Sequence, residues 1–229
     1  MNYIEVQQIA KRTMQYLQTQ IKAGMTLSEL RQLAENKMIE LGATSFWYWD
    51  VGAFVFSGFD TSLSVSGKYY KTADKVINAN DIITIDLSPQ VDNIWGDFAR
   101  TIIVENGTVI SDINKISNTE WKNGLLMEEM LHKELLLFAK PETTFEDLYF
   151  YINGLIDVNG YINLDFMGNL GHSIVTDKSD RIFIEKGNKA TLNSVKHFTF
   201  EPHIALKGSK YGYKKENIYR FIGNVTEEL

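Results

Sequence analysis

Apolar residues recur at helical spacing in two separate pairs of segments. Residues 3–22 place apolar side chains three to five residues apart, and residues 27–41 continue the pattern after a break at Gly24. Residues 119–139 and 145–159 repeat this arrangement, with Pro141 ending the first of them. The pattern therefore predicts four helices, two near the start of the chain and two after its midpoint.

The second helix of each pair begins with a similar capping signal. A threonine followed three residues later by an acid can satisfy free amides at a helix start. Three pairs of positions align at one offset of 118 residues: Thr26 with Thr144, Leu30 with Leu148, and Gly42 with Gly160. The alignment favours an internal duplication, with related halves of about 1–112 and 113–229. The alternative is that any two capped helices of similar length align in this way.

Short segments rich in β-branched and aromatic residues follow each helix pair and predict strands. They are residues 46–49, 54–56, 82–87 and 98–104 in the first half, and 181–184, 197–200 and 217–222 in the second. Helices followed by strands, twice over, predict an α+β fold with a mainly antiparallel sheet. The poorly patterned segment 57–80 is long for a connection, and we expect it to form a loop over a site.

Composition and charge narrow the class of protein. The 23 Lys and Arg against 29 Asp and Glu give a net charge of −6, which disfavours a nucleic-acid partner. The chain has no Cys, which excludes disulfides, thiolate metal sites and a Cys nucleophile. No apolar run approaches the roughly 18 residues of a membrane span. Since the first residues also lack a signal-peptide pattern, we expect a soluble cytoplasmic protein.

Two pairs of carboxylates fall on segments predicted to be strands. If the strands carrying Asp86 and Asp97 form a hairpin with an even-numbered loop, both side chains point to one face of the sheet. In the second half, Gly208-Ser209 suits a two-residue turn, which would place Glu201 opposite Glu216. Acids on strands are often solvated surface residues. Two such pairs at matching places in two halves nevertheless favour a site, because paired carboxylates need a proton or a cation.

Four carboxylates indicate hard divalent cations, and a histidine ligand would shift the preference toward Mn, Fe, Co or Zn. His132 lies on a predicted helix, where a surface or packing role is expected. His172, His197 and His203 stay open as ligands from their positions alone.

Five short motifs, taken in order, resemble a known family. They are Ile85-Asp86, Gly96-Asp97-Phe98-Ala99-Arg100-Thr101, Gly171-His172-Ser173-Ile174, Thr199-Phe200-Glu201-Pro202 and Glu216-Asn217. In this order and context they are similar to the metallopeptidases that include methionine aminopeptidase, Xaa-Pro aminopeptidase, prolidase and creatinase. The resemblance implies the pita-bread fold, with two pseudo-symmetric helix–helix–strand halves. Because the relatives with Xaa-Pro specificity usually carry an extra N-terminal domain, the chain resembles the catalytic domain alone, a single domain over 1–229.

The resemblance also implies a site with two divalent metal ions and an aminopeptidase activity. Asp86 would chelate one ion, Asp97 and Glu216 would bridge both, and His172 with Glu201 would hold the second. Glu201 would in addition carry a proton during hydrolysis. Peptides or small amides, including peptides with Pro in second position, are the expected substrates, and a homodimer is a possible assembly.

Three departures from the family pattern concern the groups around those ligands. Tyr69 stands where an additional histidine usually precedes the first aspartate, and residues 173–181 lack a second histidine. Leu87-Ser88 also replaces the small residue and Gly that often follow the first aspartate. Tyr69, Arg181 or His203 are candidates to replace the missing donors, and losing one such donor can cost about 100-fold in rate. His203 shares a strand face with Glu201, although an exposed position would explain it equally well.

Two further readings compete with an active aminopeptidase. The missing histidines allow a catalytically impaired, metal-binding homologue of the same fold, although five retained ligands argue against a pure binding module. Hydrolysis of a non-peptide C–N bond, as in creatinase, is the other alternative.

Two expectations concern residues outside the ligand set. Arg100 is expected to form a structural ion pair, and one aromatic residue of 46–49 is a candidate for the substrate pocket.

Overall fold

Four helices account for the helical periodicity in the computed structural model, which describes residues 1–229. They are α1 (Tyr3–Gln20), α2 (Leu27–Glu40), α3 (Thr119–Phe138) and α4 (Phe145–Val158). Thr26 and Thr144 cap α2 and α4, and each side chain accepts the N–H of the acid three residues on. Both helices have 14 residues and keep the spacing of 118. None of the four is long and apolar enough to cross a bilayer.

Fourteen short strands, all paired antiparallel, form four small sheets. The first half contributes β1 (Ser45–Phe46), β2 (Ala53–Ser57), β3 (Asp81–Leu87), β4 (Pro89–Val91), β5 (Ile94–Trp95), β6 (Phe98–Glu105) and β7 (Thr108–Val109). The second contributes β8 (Tyr161–Asn163), β9 (Ser173–Ile174), β10 (His197–Phe200), β11 (His203–Leu206), β12 (Tyr213–Lys214), β13 (Asn217–Ile222) and β14 (Val225–Glu228). The sheet orders are β2-β3-β6-β7, β14-β13-β10-β9, β1-β4-β5 and β12-β11-β8.

Two segments predicted as strands are largely irregular. Only Phe46 of the segment 46–49 lies in a strand, and Trp49 has a φ of 57° in a tight turn that Val51 closes onto Tyr48. The segment 181–184 makes a single bridge, from Phe183 to His172. Its ladder is interrupted because the Ser173 hydroxyl, in place of a backbone carbonyl, accepts the Ile182 N–H at 3.0 Å. Both predictions failed where local hydrogen bonds outweighed β-propensity.

Each half has its own apolar core. The first core packs α1 and α2 against β2, β3 and β6, and includes Leu17, Leu30 and Ile85 with no exposed surface. The second packs α3 and α4 against the second half's strands, around Phe145 and Phe198. The pairs of helices therefore cover the outside of the sheets, and the opposite side of the central strands is left for the site.

Candidate metal centre

The strands β3 and β6 bring Asp86 and Asp97 to one face of their sheet. Asp86 is paired with Ala99, so Asp97 lies two residues further along, just before β6 begins. This is the register that a hairpin with an even-numbered loop predicts, and residues two apart on a strand share a face. Side-chain exposure is 21% for Asp86 in its ion pair and 6% for Asp97.

In the second half, the strand pairings place Glu201 directly opposite Glu216. His203 pairs with Lys214, and Phe200 pairs with Asn217, which sets Glu201 opposite Glu216 as predicted. The predicted turn is wrong in one detail. The Ser209 N–H donates to the Leu206 carbonyl at 2.9 Å, so Lys207 and Gly208 occupy the turn centre in place of Gly208 and Ser209.

Backbone contacts between the halves place the two pairs of acids together. The Glu216 N–H donates to the Ala99 carbonyl at 3.0 Å. Next to it, the Thr101 hydroxyl accepts the Lys214 N–H at 2.8 Å and donates to the Lys214 carbonyl at 3.1 Å. Because β6 runs directly beside residues 214–217, Asp97 at the start of β6 lies against Glu216.

Arg100 fixes this junction, though the predicted ion pair is absent. Its Nη1 donates to the carbonyls of Ala99 and Glu216 at 2.7 and 2.8 Å. Its Nη2 donates to the Asn217 side-chain oxygen at 2.7 Å, and no carboxylate lies within 4.0 Å. Arg100 is therefore structural, as expected, and acts through carbonyl and amide acceptors.

Asp86, Asp97 and Glu216 form a compact set of potential ligands. One oxygen from each lies within 4.8 Å of the others. Glu216 has no exposed surface, and neither of its carboxylate oxygens has a hydrogen-bond partner. Burial raises the pKa of Glu216 well above its ordinary value, and the Asp97 and Glu201 carboxylates add to the shift. Burial, with Asp86 and Glu201 nearby, does the same to the pKa of Asp97. Such a cluster requires protons or cations.

His172 offers an unprotonated nitrogen to the same cluster. Its Nδ1 lies 3.1 Å from the Ser173 carbonyl, which can only accept, so Nδ1 carries the proton. Nε2 lies 3.6 Å from both Asp97 Oδ2 and Glu201 Oε1, too far for hydrogen bonds. Burial lowers the pKa of His172 to about 4, which keeps the ring neutral near pH 7. A carbonyl-bound Nδ1–H and a free Nε2 are the usual arrangement of a metal-binding histidine.

Together these five side chains fit divalent cations. Four carboxylates and one neutral imidazole converge, and the orphaned oxygens of Glu216 lack the partner that a buried carboxylate requires. Oxygen ligands with one histidine suit Mn, Fe, Co or Zn.

Lys214 is a site residue that the sequence reasoning missed. Its Nζ lies 2.5 Å from Asp86 Oδ2, 3.1 Å from Glu201 Oε2 and 3.8 Å from Glu216 Oε2. Although burial alone would raise it, the pKa of Glu201 is lowered, since the Lys214 ammonium and His172 outweigh burial. The sequence could have indicated it, because Lys214 stands two residues before Glu216 on an extended segment, and residues two apart on such a segment point to the same face.

Of Tyr69 and the three remaining histidines, only His203 lies at the cavity. His203 is buried in the wall of the cavity, and its Nε2 lies 2.7 Å from the Thr61 carbonyl. Tyr69 is 72% exposed and is not among the lining residues, so the structure does not bring it to the cluster. His132 is a buried packing residue bonded to the Tyr219 hydroxyl, as one of its two expected roles. His197 packs against Tyr3 and is not among the residues that line the cavity.

A cavity of about 240 Å³ opens onto the cluster. Its apolar wall includes Trp47 and Tyr48 from the segment 46–49. Leu63 and Val65 also line it, so part of the segment 57–80 covers the site as expected. Asp165 and Arg181 add polar side chains to the wall, which gives the cavity both apolar and charged recognition surfaces.

The family model for metallopeptidase family M24 matches residues 2–221. The chain belongs to this family. Its α+β architecture is the pita-bread fold, and M24 proteins are enzymes that use two divalent metal ions.

Solved structures support the fold at low sequence identity. An X-Pro aminopeptidase from Thermotoga maritima is 24% identical with a TM-score of 0.79, covering 99% of this chain and 59% of that chain. A prolidase from Pyrococcus furiosus is 21% identical with a TM-score of 0.81, covering 99% and 61%. An Xaa-Pro dipeptidase from Bacillus anthracis is 18% identical with a TM-score of 0.77, covering 99% and 58%. The chain thus spans about three fifths of these proteins' length. No curated protein sequence matches it.

Proposed function

We propose that this chain is a metal-dependent aminopeptidase-type hydrolase that removes the N-terminal residue from peptides, including residues that precede Pro. The observation that carries the proposal is the convergence of four carboxylates and the free Nε2 of His172 at the floor of the cavity. Membership of a metallopeptidase family supports the reaction class. The names of the X-Pro aminopeptidase and prolidase with the same fold motivate the preference for Pro.

The proposed metal ligands are Asp86, Asp97, His172, Glu201 and Glu216. Two divalent ions, of Mn, Co, Fe or Zn, would match these donors. When bound, such ions lower the pKa of a water molecule and polarise the scissile carbonyl. The chain's own contribution is to hold the donors rigid, with Glu216 fixed by the Ala99 carbonyl and Arg100.

Glu201 is the proposed proton carrier. It borders the cavity, and the Lys214 ammonium at 3.1 Å favours its charged form, so it can accept a proton from the attacking water. His203 is a second candidate. Because its Nε2–H is donated to the Thr61 carbonyl, its Nδ1 is left as an acceptor, suited to an N–H of the substrate. A catalytic role for Tyr69 stays a prediction, which Tyr69→Phe tests.

Digestion of a mixed peptide library tests the activity. The purified protein is incubated with the library and Mn²⁺, and products are read by mass spectrometry. We expect loss of single N-terminal residues, with enrichment of sequences that have Pro in second position. Asp97→Ala is the inactive control, and Tyr69→Phe and His203→Gln report on the two auxiliary candidates. Unchanged peptides with stoichiometrically bound metal would contradict the proposal.

One observation favours a second candidate function. Neither of the auxiliary histidines expected from the family pattern is present, and Tyr69 is exposed outside the cavity. A metal-binding homologue with little or no peptidase activity would have this composition. The same digestion separates the two functions, because such a homologue binds metal without consuming any peptide.

Two further expectations belong to the proposal. A cytoplasmic location follows from the sequence pattern, and fractionation of cells that express the protein tests it. A homodimer is the proposed assembly, which light scattering on the purified protein measures.

A further inference from the structure

The side of α4 that faces away from the core carries an apolar stripe. Phe150 is 52% exposed and Val158 is 77% exposed. Gly154 lies midway between them and is exposed as well. At 3.6 residues per turn, positions four residues apart lie on one side of a helix, so these three residues form a continuous stripe. The buried Leu148 and Ile152 lie on the opposite side of α4, which packs into the second core.

The duplicated first half of the chain provides a reference for that stripe. At the offset of 118 residues, four exposed positions on and just after α4 align with four exposed positions on and just after α2. The residues are polar in the first half and apolar or glycine in the second: Gln32 and Phe150, Asn36 and Gly154, Glu40 and Val158, Thr44 and Ile162. The same fold therefore presents a polar surface in one half and an apolar surface in the other.

The neighbouring helix α3 extends this contrast. Its exposed Leu126 and Leu137 align with the exposed Gln8 and Thr19 of α1. Helices α3 and α4 lie side by side, and the Phe138 ring stacks on the Tyr151 ring at 4.0 Å. The outer face of α3 and α4 is thus one surface with several exposed apolar side chains. Contiguous exposed apolar surface of this kind is typical of contact with another protein chain.

The shape of the stripe on α4 is complementary to a second copy of itself. Phe150 projects one helical turn from Gly154, which has no side chain and has open space where a Cβ would stand. If two α4 helices pack antiparallel about a two-fold axis at the level of Ile152, each Phe150 ring lies over the partner's Gly154. A large side chain then fits the gap at a glycine, twice, as an isologous interface requires.

The charges at the two ends of α4 agree with the antiparallel arrangement. Asp147 is exposed in the first turn, and α4 contains no Lys or Arg. Near the other end, the Lys207 ammonium lies 2.6 Å from Asp157 Oδ1 in an exposed ion pair. The two-fold axis at Ile152 brings Asp147 level with the partner's Asp157, so that Lys207 lies near two acids. The helix dipoles then also run in opposite directions, which is favourable.

We propose that the outer face of α3 and α4 is the surface through which two copies of this chain associate, with α4 at the two-fold axis. The proposal rests on the homodimer given under the proposed function and assigns the surface that forms it. Helices of 20 and 14 residues, set about 9 Å apart, offer on the order of 500 Å² per copy. Because a standard interface uses about 800 Å² per partner, the dimer should dissociate on dilution.

Sedimentation equilibrium of the full chain tests the proposal. Between about 1 and 200 μM, we expect the mean mass to rise from 26.2 kDa towards twice that value. At about 1 μM the chain should be monomeric, so unfolding experiments at that concentration report the stability of the single chain. The test variant carries Phe150→Gln and Val158→Glu together. We expect its dissociation constant to rise at least about 100-fold, because each copy loses two interface anchors.

The duplication also provides the matched control. The double variant gives α4 the two residues that stand at the aligned positions of α2, so its circular dichroism should match that of the wild type. Ile39→Asp makes the exchange in the opposite direction, because Ile39 is 49% exposed on α2 and aligns with Asp157. It should leave the association unchanged. Lys207→Gln should weaken the dimer by only about 2- to 5-fold, as expected for an exposed ion pair.

A wild-type protein that stays monomeric over the whole range would overturn the proposal and leave the face to a different partner. A dimer that persists in the double variant would also overturn it, because the copies would then associate through another surface. Sedimentation requires neither metal nor peptide, which separates this proposal from the proposed peptidase activity. An active protein that stays monomeric contradicts the interface alone, and an inactive protein that dimerises through this face contradicts the peptidase alone.

Discussion

The ammonium of Lys214 lies 2.5 Å from the carboxylate of Asp86, across the junction between the two halves of the chain. Asp86 is the penultimate residue of β3 in the first half, and Lys214 lies two residues before Glu216 in the second. The contact gives the acidic cluster a permanent cation that belongs to the protein. It reaches Glu201 as well, so one side chain couples acids from both halves.

Loss of that cation should destabilise the metal-free protein. Lys214→Met leaves Asp86 and Glu201 without their counter-charge, and removing one partner of a buried pair costs about 3–5 kcal/mol. The measurement is urea unfolding of wild-type and variant protein in the presence of a chelator. Lys214→Arg keeps the charge and should retain most of the stability. Identical unfolding midpoints for wild type and Lys214→Met would show that the Lys214–Asp86 pair does not stabilise the fold.

Replacing Glu216 should separate metal binding from folding. Glu216→Gln replaces a buried carboxyl group whose two oxygens have no hydrogen-bond partner. We therefore expect metal content to fall sharply while the chelator-treated protein stays folded at wild-type stability or better. Mass spectrometry of the metal content, with circular dichroism of the same sample, measures both. Unchanged metal content in Glu216→Gln would remove Glu216 from the ligand set.

Gly171 should prove necessary for the position of His172. Its φ is +138°, and an added Cβ would overlap the Thr199 carbonyl, so Gly171→Ala is strained by at least about 1–3 kcal/mol. Thermal unfolding and metal titration should both show a loss. Gly154→Ala is the matched control, because nothing lies near its added Cβ on the exposed side of α4. That variant should gain about 0.5–1 kcal/mol. Equal behaviour of the two variants would contradict the assignment.

His132 should make the protein less stable in acid. Burial lowers its pKa well below the ordinary 6.5, so the unfolded chain binds a proton that the folded chain does not. Its stabilising contribution is complete above pH 6.5 and is lost as the pH falls below that value. Each unit of pH should cost wild type up to about 1.4 kcal/mol more than His132→Gln. Urea unfolding between pH 7 and pH 5 measures the difference, and parallel curves would contradict it.

Much of this architecture could be predicted from the spacing of apolar residues and from the alternation of side chains along strands. The helices follow from repeated apolar spacing, and the shared faces of Asp86 with Asp97 and Glu201 with Glu216 follow from strand register. The site residues that depend on irregular backbone were harder. Trp47 lines the cavity from an irregular segment where a strand was predicted. Arg181 lies beside Ile182, whose N–H donates to the Ser173 hydroxyl, and this contact interrupts the predicted strand pairing. Tyr69 is exposed while the adjacent Tyr70 is buried, since the Tyr70 hydroxyl is bonded to Val55. Local hydrogen bonds of this kind do not produce a repeating pattern of residues, so the sequence alone does not predict them.

A crystal grown with Mn²⁺, with diffraction recorded at the manganese absorption edge, tests whether the five converging side chains form a divalent metal centre. We expect anomalous density among Asp86, Asp97, His172, Glu201 and Glu216, and none in crystals of Asp97→Ala. Wild-type crystals without anomalous density at this cluster, at a Mn²⁺ concentration that saturates the protein in solution, would contradict it.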